Sequence, residues 1–161
     1  MPNDVINSKV ELILERFHIS APPIDVFAIA NLLGYPVKGV SMEVEEVTSF
    51  TDFSGKRIFV NIGDDKFRQT FAVARELGHL VLHLEIILKN PTLYKLFMKS
   101  SILEGGIETI EAEANEFAAT LLVPKNLLTI AIETYSSNIA IARLFGVEEW
   151  IILKRRFKER L

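Results

Sequence analysis

Residues 68–88 constrain the fold of this chain more than any other stretch. They contain no proline, and apolar side chains recur at Phe71, Ala74, Leu77, Val81, Leu84 and Leu88. Spacings of three and four place these groups on one stripe of an α-helix. Such a stripe must be covered by another element. Residues 107–123, closed by Pro124, offer the cover. Ala114, Phe117, Ala118 and Leu121 form one apolar face there, and the small residues Ala112, Ala114, Ala118 and Ala119 allow two helices to approach closely.

The remaining elements are shorter. Residues 5–17 repeat the helical period through Val5, Ile6, Val10, Ile13, Leu14 and Phe17, and Ala21-Pro22-Pro23 interrupts it. Residues 25–33 read as a second helix with Gly34 as its C-cap. Residues 35–47 alternate as a strand does, Ser54-Gly55-Lys56 marks a turn, and residues 57–62 read as a strand. Asn90-Pro91 stops the long helix. A short helix is expected at 92–99, a loop at Gly105-Gly106, and three short helices at 125–134, 137–145 and 147–160. Helices, a small sheet, then helices again make an α+β fold. The expected organisation is one domain over residues 1–135, with a helix-turn-helix-like extension, 136–161, packed on it.

A chain of 161 residues, 49% of them apolar, can build one core of ordinary size. It has no cysteine, which excludes a disulfide scaffold, a thiolate metal site and a cysteine nucleophile. No secretory signal and no membrane-length apolar run is visible, so the sequence reads as cytoplasmic. The formal net charge is -3. That acidic balance sets the chain apart from nucleic-acid binders. Its last 26 residues are locally basic, with six cationic side chains against three acidic ones. A charged helix face accounts for them.

The polar stripe of residues 68–88 carries the chemistry. Arg75, His79 and His83 stand four residues apart, so they project in nearly the same direction. Glu76 precedes His79 by three. The run Arg75-Glu76-Leu77-Gly78-His79 is an H-E-x-x-H motif with arginine at its first histidine. In that motif two histidines hold Zn²⁺ and the glutamate deprotonates a metal-bound water. On the second helix Glu111 and Asn115 share a face. Glu111 is the candidate third ligand, and Asn115 the candidate partner for a ligating histidine's second ring nitrogen. Glu113 lies about 200° around that helix from Glu111. Glu113 and Glu116 are expected in solvent.

These two helical segments resemble the ImmA/IrrE family of metallo-endopeptidases. The likeness is carried by Ala21-Pro22-Pro23-Ile24-Asp25-Val26, by Arg57 to Asn61, by Phe71-Ala72-Val73-Ala74-Arg75-Glu76-Leu77-Gly78-His79-Leu80-Val81-Leu82-His83, and by Glu111-Ala112-Glu113-Ala114-Asn115-Glu116-Phe117 through Pro124. The resemblance implies a small zincin-like domain whose short sheet packs on the active-site helix. It also implies zinc as cofactor, Glu76 as general base, His79 and Glu111 as metal ligands, and cleavage or control of a phage or mobile-element repressor or similar regulatory protein. Substrate would lie along an edge strand at residues 58–62.

Arginine stays protonated and has no lone pair for a metal. Two arrangements follow. In one, Arg75 reaches toward Glu111 and stands in for the metal's charge, leaving a non-catalytic protein-binding module. In the other, His79, His83 and Glu111 hold an ion displaced by one helical turn. His83 also reads as a packing histidine bonded near the site.

Overall fold

The structure is a computed structural model that describes residues 1–42, 47–90 and 107–161. The helix expected at 92–99 and the Gly105-Gly106 loop lie outside the described residues. Helix α1, Asn3–Arg16, buries Ile6, Val10, Ile13 and Leu14. Helix α2, Val26–Leu32, starts where the Asp25 carboxylate accepts a hydrogen bond from the Ala28 amide, and ends before Gly34 at φ +81°. Three strands follow: β1, Val37–Val40; β2, Ser49–Asp52; and β3, Arg57–Asn61.

The sheet order is β1-β3-β2. β1 runs parallel to β3 with Val37 opposite Ile58, and β2 runs antiparallel to it with Ser49 opposite Val60. β3 is therefore the central strand, with both edges paired. This corrects the expectation that a bound segment lies along residues 58–62. β2, absent from the sequence reading, is an edge strand among the described residues. Its Ser49 and Thr51 point inward and are buried.

The long helix is not one regular α-helix. α3, Lys66–Gly78, begins two residues before the expected start, where the Asp65 side chain accepts from the Phe67 and Arg68 amides. His79–His83 is a π-helical turn, and α4, Leu84–Lys89, continues beyond it. A π turn takes in one more residue than an α turn, so the buried stripe changes phase. Leu88, expected inside, is 59% exposed, and Ile87 takes its place at 3%.

Helix α5, Ile107–Leu122, crosses α3 with Ala114, Phe117, Ala118 and Leu121 fully buried. The crossing is tight at Gly78, where an added Cβ would sit 3.0 Å from the Ala114 Cα and carbonyl oxygen. Helices α6, Lys125–Thr134, and α7, Asn138–Phe145, follow. Gly146 (φ +66°) turns the chain into α8, Glu149–Glu159. Among the described residues, no single helix is long and apolar enough to cross a membrane.

The basic tail differs from a solvated face. Arg155 is 1% exposed. Its Nε donates to the Val123 carbonyl and its Nη1 to Thr120 Oγ1, and Nη2 lies 3.0 Å from Glu159. Lys154 and Lys158 pair with Glu116 at 3.3 and 2.6 Å. Glu116 is thus an internal counter-ion rather than a solvated side chain, and its network ties α8 to α5.

Candidate functional site

The last turn of α3 and the π turn face the first turns of α5, and β2 closes the site from the sheet side. Arg75 lies at its centre. Its Nη2 is 3.2 Å from Glu76 Oε1 and 3.2 Å from Ser49 Oγ, and its Nη1 is 3.6 Å from Glu111 Oε2. The guanidinium therefore stands between the two carboxylates. Without a cation there, both would face each other at a partly buried site, an arrangement that disfavours ionising them together.

Glu76 is only 4% exposed and is turned toward the sheet. Ser49 Oγ donates to Oε1 at 2.8 Å and Thr51 Oγ1 donates to Oε2 at 2.7 Å. Both carboxylate oxygens are thus occupied by hydroxyls from β2. Sequence reading missed Ser49 and Thr51. The only signal for them was two hydroxyl residues at alternate positions of a four-residue strand.

His79 Nε2 lies 3.2 Å from Glu111 Oε1. Burial alone would push the Glu111 carboxyl up, but the hydrogen bond and charge of His79, with Arg75, outweigh it and hold Glu111 below its usual range. The other ring nitrogen, His79 Nδ1, is 3.3 Å from His83 Nδ1, while His83 Nε2 is 2.9 Å from Glu113 Oε2. The N-terminal ammonium of Met1 also pairs with Glu113. Burial and then the neighbouring His79 push His83 down to about 4. Glu113, His83, His79 and Glu111 thus form a continuous row of side-chain contacts.

This arrangement corrects three expectations. Glu113 is not a solvated residue but the anion that holds His83. The second nitrogen of His79 meets His83 rather than Asn115. Asn115 instead lines an adjoining cleft of about 410 Å³ with Thr48, Phe67, Phe71, Arg75 and Trp150. Finally, His83 directs Nε2 at Glu113, so His79, His83 and Glu111 do not converge on a displaced ion.

Does the donor set fit zinc? Bond lengths of roughly 2.0–2.1 Å put tetrahedral ligands about 3.3 Å apart. The 3.2 Å between His79 and Glu111 suits one edge of such a site. The position four residues before His79 holds a permanent cation instead of a lone pair. Among the described residues no group of three His, Cys, Asp or Glu side chains could hold a metal ion. The described residues do not fit a catalytic zinc.

No curated protein matches this sequence significantly. Among solved structures, a Mycobacterium tuberculosis transcriptional regulator is similar in fold. It has a TM-score of 0.67 and 16% sequence identity over 93% of this chain, which spans only 46% of the regulator's length. The profile of the IrrE N-terminal-like domain, Peptidase_M78, matches residues 30–156, well over half of the chain. The chain belongs to that family.

Proposed function

We propose that this chain is a protein-binding regulatory module built on a metallopeptidase fold, in which Arg75 replaces the catalytic metal's charge and the site no longer hydrolyses peptides. The observation that carries this reading is the guanidinium between Glu76 and Glu111, 3.2 Å from one and 3.6 Å from the other. A guanidinium neutralises carboxylates but cannot polarise a water as a Lewis acid does.

The partner class is an extended segment of a regulatory protein, such as a repressor. β2 supplies an edge for main-chain pairing, and the cleft beside Thr48, with Phe67, Phe71 and Trp150 in its walls, supplies a pocket for a side chain. The likeness to a transcriptional regulator is compatible with this role. A cytoplasmic setting fits the absence of cysteine.

Metal content tests the proposal. Protein expressed with supplemental zinc and then desalted should contain well under one zinc per chain by mass spectrometry. Near-stoichiometric zinc would overturn it and return the chain to the zinc enzymes.

A further inference from the structure

Helix α8 presents two opposite faces. Ile151, Ile152 and Arg155 are buried against the body of the protein. On the other side Trp150, Leu153 and Phe157, spaced by three and four, form a stripe that is 45%, 50% and 89% exposed. A phenylalanine almost wholly in water, in line with two other large apolar groups, marks an interaction surface.

The charges beside the stripe identify what covers it. Lys154 and Lys158 flank one side and are committed to Glu116. The other flank, next to α7 where Arg156 Nη1 donates to Asn138 Oδ1, carries Glu149 near the helix start and Arg156 and Arg160 near its end. That flank is acidic at one end and basic at the other. In a parallel pair this flank would instead meet the Lys154 and Lys158 flank of the second copy, whose cations are already committed to Glu116. An antiparallel copy, turned about a two-fold axis between Leu153 and Lys154, brings Trp150 opposite Phe157. It also places Glu149 level with position 158 of the second copy, between Arg156 and Arg160. At 1.5 Å per residue each arginine lies about 3 Å along the axis from that level, within reach of its long side chain. In antiparallel helix pairs related by a two-fold axis each flank meets its own counterpart, so both ion pairs form at once.

We infer that α8 is the contact face of a two-fold homodimer, with a Trp150–Leu153–Phe157 stripe packed antiparallel on its own copy and Glu149 paired to Arg156 and Arg160 across the axis. Trp150 also packs edge-on against Phe71, with ring centroids 5.4 Å apart, in the wall of the cleft beside Arg75. The dimer face and the proposed binding cleft therefore share one side chain.

Light scattering during size exclusion of the full chain, over a concentration series, tests the inference. Wild type should reach twice the 18.2 kDa chain mass at the upper concentrations. Phe157→Glu should remain a monomer with an unchanged circular dichroism spectrum, since the ring makes little contact within one chain. Glu149→Arg should weaken dimerisation at least about tenfold, and adding Arg160→Glu should recover most of that loss. A wild-type monomer at every concentration would overturn the inference. So would a dimer indifferent to Phe157→Glu, as expected if another face or a further domain mediates it, or a double variant no tighter than Glu149→Arg alone.

Discussion

At the scale of single residues, the site works by matching charge with charge. Arg75 faces Glu76 and Glu111, His79 meets Glu111, and Glu113 is shared by His83 and the N-terminal ammonium. The hydroxyls of β2 complete this balance, because a buried carboxylate needs a donor for each oxygen. Thr51→Val keeps the shape of the side chain and removes the donor to Glu76 Oε2. It should cost about 1–3 kcal/mol of unfolding free energy, read from urea denaturation. A cost near zero would mean that Glu76 is satisfied elsewhere. Arg75, Glu76 and His79 were legible in the sequence from helical spacing, and Glu111 from the face it shares with Asn115 together with the family resemblance. Glu113 was not. Its angular separation from Glu111 suggested solvent, yet at a helix crossing a neighbouring side chain can meet either flank, and His83 meets this one.

At the scale of elements, the decisive contact is the crossing of α3 and α5 at Gly78. Alanine is the better helix former by roughly 1 kcal/mol, so Gly78→Ala would stabilise an isolated helix. In the folded chain its Cβ would press on the Ala114 backbone at 3.0 Å and the Phe117 Cβ at 3.2 Å. Backbone yields poorly, and overpacking costs typically 1–3 kcal/mol. The variant should therefore melt below wild type in differential scanning calorimetry, and a rise in Tm would show the crossing to be looser than described. The helical period announced both elements, since their apolar stripes recur at three and four. It could not announce the π turn at His79–His83, because a template of 3.6 residues per turn carries no term for an added residue. Exchange of Leu88 for Ile87 is the result. The strand order was equally hidden. Four residues such as Ser49–Asp52 lack the apolar alternation that marks a strand, and without β2 the central β3 looks like an edge.

At the scale of the whole molecule, the basic tail holds the fold together. Arg155 is buried among Val123, Thr120, Glu116 and Glu159, so α8 is clamped to α5 by a charge that water cannot reach. Arg155→Met leaves Glu116 and Glu159 with one cation fewer and should cost about 3–5 kcal/mol, measured by denaturant unfolding. The same network predicts an acid response. Burial alone would raise the Glu116 carboxyl, but the Lys158 hydrogen bond and the Lys154 and Lys158 charges outweigh it and lower it. A depressed folded pKa means that the unfolded chain binds the proton more readily. The contribution is thus fully present above the ordinary glutamate range, about 4.3, and is lost as pH falls through the lower folded value. Urea midpoints followed into acid should decline there, and Glu116→Gln should flatten that part of the curve.

The claim on which the rest depends is that a guanidinium stands where a zinc ligand belongs. Zinc titrated calorimetrically into metal-free wild type and Arg75→His measures it most directly. Restoring an imidazole four residues before His79, opposite Glu111, should tighten zinc by more than the roughly 10- to 100-fold that an outer-shell partner contributes. Equal zinc affinity in the two proteins would contradict it.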